Sequence, residues 1–170
     1  MKKLLLLTIC LFSQYWAIAQ EEWNLLKSDT SIEQTWVNKK MFQMMSNVKN
    51  QQNDASNIAY QNLLKKLEDL VVFSTKNNNA SQKIINQSKK YIKNKDLQLL
   101  NTYKEAGENI SFYVNKGATK NQISELVMIV EPIQNSETVV FILKGSFSLK
   151  EIASLAHKMK IPGTQVFDKI

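Results

Sequence analysis

Residues 110–115 read ISFYVN, in which Ile110, Phe112 and Val114 alternate with more polar residues. Successive side chains of a β-strand point to opposite faces, so this alternation predicts a half-buried strand. Short connectors with turn residues separate it from three more β-prone segments, at residues 97–103, 122–131 and 137–144. Four consecutive strands with short connectors favour an antiparallel meander. One face of such a sheet needs a cover of helices.

Two helices predicted beside the meander supply part of that cover. Ser148 and Glu151 have the S-x-x-E spacing of a capping box, and an apolar stripe follows them. This pattern predicts an amphipathic helix over residues 149–159. A second apolar stripe at helical spacing predicts a helix that Ser81 caps and that ends near Asn94.

The sequence before residue 80 alternates between short strands and helices. Residues 32–37 are β-prone, and Asn38 is a suitable N-cap for a helix over residues 41–48. Residues 49–57 are polar and predict a loop or a frayed extension of that helix. Leucines at helical spacing then lead into the β-branched and aromatic residues 70–73, which favours a short helix followed by a strand.

The predicted fold class is therefore α+β. We expect a mostly antiparallel sheet, with the C-terminal four-strand meander, covered by about three helices in a two-layer sandwich. A chain of this length buries enough surface for one core, so a single domain is predicted at residues 31–163. It lies between an N-terminal segment at residues 20–30 and a C-terminal tail at residues 164–170.

Residues 1–19 have the pattern of a secretory signal peptide. Two lysines follow Met1, an apolar run covers residues 4–12, and Ala17-Ile18-Ala19 supplies the small-x-small pattern that a signal peptidase recognises. We expect cleavage before Gln20 and export of the remaining chain to the periplasm or the exterior.

Two other interpretations of this N-terminus are less consistent with its residues. A transmembrane anchor needs about 20 continuous apolar residues, and the run ends at Ser13-Gln14. Lipoprotein processing at Cys10 would require a small residue before the cysteine, but Ile9 precedes it. We therefore expect neither a transmembrane anchor nor a lipid anchor in the mature chain.

The composition of the mature chain limits its partners. Removal of Lys2 and Lys3 lowers the formal net charge from +7 to +5, and every remaining basic residue except His157 is lysine. Arginine, which supplies most bidentate contacts to guanine and phosphate, is absent, so we do not expect a nucleic-acid partner. The only cysteine leaves with the signal peptide, so stability must come from a packed core without disulfides.

The sequence offers few catalytic groups. His157 is the only histidine, which excludes a His-rich metal site, and no G-x-S-x-G motif occurs. Glu125 and Glu131 would lie about 20 Å apart on the Ile123 face of one strand, too far to act on one bond. Salt-bridged or solvent-facing carboxylates are the favoured interpretation. We predict no catalytic, cofactor-binding or metal-binding residue, and no cofactor.

Two features are candidates for contact with a partner or ligand. Met41, Met44 and Met45 cluster on the predicted helix, and flexible thioethers adapt to varied apolar surfaces. Core packing is the favoured interpretation of this cluster, because a helix between two strands must bury one face. Trp23, ahead of the predicted domain, is either an ordered N-terminal latch or an exposed docking element.

Four segments resemble matching stretches of domain-of-unknown-function family 4252, in the same order. They are residues 38–45 (NKKMFQMM), 107–114 (GENISFYV), 123–130 (ISELVMIV) and 145–152 (GSFSLKEI). The resemblance spans residues 30–163. It implies a small exported protein of a Gram-negative bacterium. Some members are acylated on an N-terminal cysteine, which this mature chain lacks, and the family has no established activity to carry over.

Export and the shortage of catalytic groups favour a non-enzymatic protein that binds a cell-envelope protein or component. The alternative is a carrier for a small apolar ligand held between sheet and helices, with the methionine helix as a wall. A third hypothesis is a hydrolase that uses carboxylates.

Overall fold

The computed structural model describes residues 23–48, 55–105, 107–117, 122–132, 136–152 and 155. Within these ranges, six strands form one sheet: β1 (Glu33–Asn38), β2 (Leu67–Thr75), β3 (Gln98–Glu105), β4 (Glu108–Lys116), β5 (Ile123–Pro132) and β6 (Thr138–Phe147). The described helices are α1 (Asn24–Lys27), α2 (Lys39–Ser46), α3 (Ala55–Lys66) and α4 (Asn78–Asn94). Residues 149–152 and 155 are also helical.

The strand order is β1-β2-β6-β5-β4-β3, and every neighbouring pair is antiparallel. The α+β class and the predicted meander of β3 to β6 are confirmed. The sheet is larger than that meander, because β2 pairs with β6 and adds β1 beside it. Six described strands rather than four therefore form the sheet.

Buried apolar residues lie on both faces of this sheet. Along β5, Leu126 and Met128 belong to a first cluster, which also contains Phe42 of α2 and Leu64 of α3. The alternate residue Val127 belongs to a second cluster, which contains residues of α4 and Trp23. Helices cover both faces, so the predicted two-layer sandwich is not confirmed.

The burial of the central strands explains why helices cover both faces of the sheet. Residues 126–130 of β5 and 138–143 of β6 are buried without interruption. A strand with a continuous apolar run is covered on both faces, whereas strict alternation indicates cover on one. The prediction of two layers extended the alternation of β4 to strands that do not have it.

Side-chain caps fix the starts of α2 and α4. Asn38 Oδ1 accepts a hydrogen bond of 3.0 Å from Met41 N, which confirms the predicted cap of α2. Asn77, not Ser81, caps α4, since its Oδ1 accepts from Ala80 N at 3.1 Å. Ser81 lies inside the helix, and its hydroxyl is 2.6 Å from that of Thr138. The end of α4 at Asn94 is as predicted.

The capping box before the last helical segment is confirmed. Ser148 N donates to Glu151 Oε2 at 2.8 Å, and Glu151 N donates to Ser148 Oγ at 3.4 Å. Helix begins at residue 149 as predicted, while residues 153–154 and 156–159 of that prediction lie outside the described part. Among the described helices, none is both long and apolar enough to cross a bilayer.

Candidate functional site

Four large apolar side chains are exposed on α2, just after it, and on α3. Met41 is 44% exposed, Met44 64%, Val48 59% and Ile58 50%. We call these four residues the methionine surface. An exposed set of large apolar side chains on neighbouring elements is typical of an interaction site.

The fold of α2 explains why these methionines face outward. Phe42 and Ser46 point to the sheet and are buried. Met45, half-buried, packs against the first cluster. Met41 and Met44 lie on the remaining face, so the favoured interpretation of core packing is wrong for these two and holds for Met45.

Contacts between α2 and α3 bring the methionine surface together. The two helices pack against each other. Gln61 of α3 donates a hydrogen bond of 3.2 Å to the carbonyl oxygen of Val48. Because residues three apart are neighbours on a helix, Ile58 lies one turn from Gln61 on α3. Sequence reasoning missed Val48 and Ile58 as site residues, since neither belongs to a recognisable motif.

Trp23, by contrast, is only 4% exposed. Its ring centroid lies 5.1 Å from that of Phe73 in β2 and 5.1 Å from that of Tyr91 in α4. Leu26 of α1 is buried in the same cluster, and its carbonyl accepts a hydrogen bond from Gln34. This placement is that of an ordered latch across α4 and the sheet.

A small apolar cavity of about 240 Å³ lies on the α3 side of the sheet. Its lining residues are Ala59, Tyr60, Leu63, Ser148, Lys150 and Glu151. Burial raises the pKa of the Tyr60 hydroxyl. Desolvation opposes ionisation of Glu151, but hydrogen bonds from Lys66 and Ser148 outweigh it and lower the pKa of that carboxyl. The walls are α3 and residues 148–151, not the methionine helix that the carrier hypothesis named.

A polar cavity of about 470 Å³ lies where β1 begins and β2 ends. It is lined by Ser31, Glu33, Thr75, Lys76, Asn77 and Glu137. Thr75 Oγ1 donates to Ser31 O at 2.6 Å and accepts from Asn77 N at 3.1 Å. These bonds join the end of β2 to the segments before β1 and before α4, so the Thr75 hydroxyl stabilises the fold.

The two carboxylates considered for catalysis are both paired. Glu125 is buried, accepts a hydrogen bond from the Tyr91 hydroxyl and lies 3.8 Å from Lys144 Nζ. Glu131 forms an ion pair of 3.2 Å with Lys89 of α4. The salt-bridged interpretation therefore describes both. A register shift between Ile123 and Glu125 places Ile123 in the first cluster, on the opposite face from Glu125, which corrects the predicted shared face.

Lys144 also lies beside a second carboxylate. Asp69 and Glu125 are its cross-strand partners in β2 and β5. Burial raises the pKa of Asp69, although the positive charge of Lys144 opposes that change. This row of alternating charges ties three strands and α4 together at one end of the sheet.

Another pair of exposed apolar residues, Leu99 and Leu100, lies on β3 at the edge of the sheet. A register shift between Leu99 and Asn101 interrupts the pairing with β4. Such irregularities at an edge strand discourage pairing with other chains. We therefore do not treat β3 as the site.

No three His, Cys, Asp or Glu side chains converge on a possible metal position within the described ranges. The predicted cleavage residues Ala17, Ala19 and Gln20 lie outside these ranges, as do Cys10 and His157.

A known protein family matches most of this chain. The family described as Domain of unknown function (DUF4252) matches residues 26–155. The chain belongs to this family. The DUF4252 match covers all six described strands, which confirms the resemblance noted from the four short segments. No curated protein and no solved structure matches the chain. The description of DUF4252 names no activity.

Proposed function

We propose that this chain is an exported, non-enzymatic protein that binds a protein or other component of the cell envelope through the methionine surface. The observation that carries the proposal is the exposure of four large apolar side chains on α2, just after it, and on the adjacent α3. Methionine suits such a role, because its flexible thioether packs against partners of varied shape. Met41 and Met44 are the proposed contact residues.

The proposal of export depends on residues 1–19. Their basic start, apolar run and Ala17-Ile18-Ala19 ending support cleavage before Gln20 and a periplasmic or secreted location in a Gram-negative bacterium. The mature chain would then start three residues before Trp23. Neither a lipid anchor nor a transmembrane anchor belongs to this proposal.

The proposal of a non-enzymatic role draws on the state of the acidic groups. Glu125 and Glu131, the carboxylates with the best sequence case for catalysis, are both occupied by partners within the fold. A general acid or base must lie within hydrogen-bond reach of the substrate atom to which it gives a proton or from which it takes one. Groups tied to lysine and tyrosine side chains in this way serve the structure.

Quantitative capture from cell-envelope extract tests the proposal. The immobilised mature protein should retain a specific component that saturates with the amount of extract. The M41E/M44E variant should lose it, because charged side chains would replace the apolar contacts. Q82E on α4, an exposed helical position on the other side of the sheet, is the control and should retain the component. Equal retention by all three proteins would contradict the proposal.

A carrier of a small apolar ligand is the second candidate, and the cavity of about 240 Å³ beside Tyr60 and Leu63 favours it. Native mass spectrometry of protein purified gently from its own cells should then show an added mass of a few hundred daltons. A59W, which places an indole at the lining of the cavity, should remove that mass. A bare protein in repeated preparations would leave the envelope partner as the better proposal.

A further inference from the structure

We infer that the partner of the methionine surface presents an acidic amphipathic helix, with apolar side chains that cover this surface and carboxylates that pair with Lys40 and Lys65. This inference rests on the proposed function and specifies the chemistry of the partner.

The charges of α2 and α3 are the first argument. Together these helices contain four lysines and not a single Asp or Glu. Lys66 Nζ forms an ion pair of 2.7 Å with Glu151 Oε1, and Lys39 Nζ lies 3.9 Å from Glu68 Oε1. Lys40 and Lys65 form no ion pair with any residue in the described ranges. These two cations are the ones that an acidic partner would neutralise.

The positions of the two lysines are the second argument. Lys40 lies four residues before Met44, so the two side chains are neighbours on one face of α2. Lys65 lies seven residues after Ile58, which is two turns along the same face of α3. Both lysines are exposed. The methionine surface therefore has a positive charge on its border at each helix.

The dimensions suit a helix. At a rise of about 1.5 Å per residue, α2 is about 12 Å long and α3 about 18 Å. A partner helix of about three turns would span either one. Helices that dock in this way place apolar residues at i, i+3, i+4 and i+7 against the surface and keep charged residues at the sides.

An anionic membrane would also attract lysines, but this surface fits it less well. Amphipathic elements that lie on membranes use Trp, Phe or Leu on the apolar face with many basic residues beside it. The methionine surface has none of those three residue types, and each lysine near an anionic bilayer adds only about five-fold in affinity. Two available lysines would give weak attachment.

The test uses the purified mature protein and a fluorescent 14-residue helical peptide with leucine at i, i+3, i+4 and i+7 positions and glutamate elsewhere. A second peptide replaces every glutamate by lysine. Fluorescence anisotropy in 50 mM salt should show binding of the glutamate peptide at least ten-fold tighter than that of the lysine peptide. NMR shift changes should map to α2 and α3.

Charge reversal supplies the decisive variants. K40E/K65E should reverse the preference, so that the lysine peptide binds more tightly, and M44E should weaken binding of either peptide at least ten-fold. K90E/K93E on α4 carries the same charge change at two other exposed positions and should retain the original preference. Equal binding of both peptides, or an unchanged preference in K40E/K65E, would overturn the inference. Binding to phosphatidylglycerol vesicles with no binding of the glutamate peptide would overturn it in favour of a membrane.

This experiment separates the inference from the proposed function. If envelope capture depends on Met41 and Met44 but the glutamate peptide does not bind, only the acidic chemistry is wrong. If the peptide binds as expected but capture is unaffected by M41E/M44E, the inferred chemistry holds and the proposed function fails.

Discussion

Replacement of Trp23 by alanine should remove a large part of the stability of this protein. Trp23 is 4% exposed and contacts the rings of Phe73 and Tyr91. Truncation of a buried tryptophan costs about 3–5 kcal/mol. We expect the lower end, about 3 kcal/mol, because the proposed cleavage before Gln20 would leave Trp23 near the chain terminus, where its segment can detach without leaving a rigid cavity. This is a large fraction of the 5–15 kcal/mol typical of folded proteins.

Urea unfolding of the mature protein, followed by far-UV circular dichroism, measures this loss. With a typical slope of about 2 kcal/mol per molar urea, the midpoint should fall by about 1.5 M. W36A is the matched control: Trp36 is only partly buried on the edge strand β1 and should cost about 1 kcal/mol. A midpoint shift below about 0.3 M for W23A would refute the argument that the latch stabilises the fold. Loss of envelope capture without loss of stability would instead identify Trp23 as a docking element.

Three further predictions concern single contacts. Hydrogen bonds from Lys83 and Ser31 lower the pKa of Asp29 from 3.8 to about 2. The stability that Asp29 contributes is therefore complete above pH 3.8 and is lost as the pH falls toward 2. K83M should raise this pKa in an NMR titration, and an unchanged value would contradict the assignment. Gly145 has φ +152°, and an added Cβ would lie 2.6 Å from the backbone carbonyl oxygen of Lys66 at the end of α3. G145A should therefore lower the free energy of unfolding in urea by about 2–4 kcal/mol. A loss below about 1 kcal/mol would show that the chain relaxes at this position. Y91F removes the hydrogen bond to the buried Glu125 side chain and should cost about 1.5–3 kcal/mol. In the E125A background, which lacks the acceptor, it should cost little more, and fully additive losses would mean that the two groups are not coupled.

Much of the fold follows from local sequence patterns. The alternation of residues 110–115 and the short connectors predicted the meander correctly, and the capping-box spacing of Ser148 and Glu151 predicted the start of the last helical segment. The number of layers was not predicted, because the alternation of β4 was taken to hold for the whole sheet. The continuous apolar run of β6, considered by itself, indicates a strand that is buried on both faces.

The candidate site was less predictable for a related reason. The sequence identified the methionines of α2, but a short helix with several apolar residues has more than one possible buried face. The choice of Phe42 and Ser46 for the core depends on where α3 and the sheet lie, which is tertiary information. The pairing of the lysines is tertiary information too: Lys66 pairs with Glu151 of the last helical segment, whereas Lys40 and Lys65 have no ion pair within the described ranges.

We propose that Met44 lies at the contact with an envelope partner. Site-specific photo-cross-linking in growing cells, with a benzophenone amino acid in place of Met44, tests it directly. Position 44 should give one discrete adduct that the same probe at the exposed position of Gln82 does not give. The same adduct from both positions, or no adduct from position 44 in folded and exported protein, would contradict it.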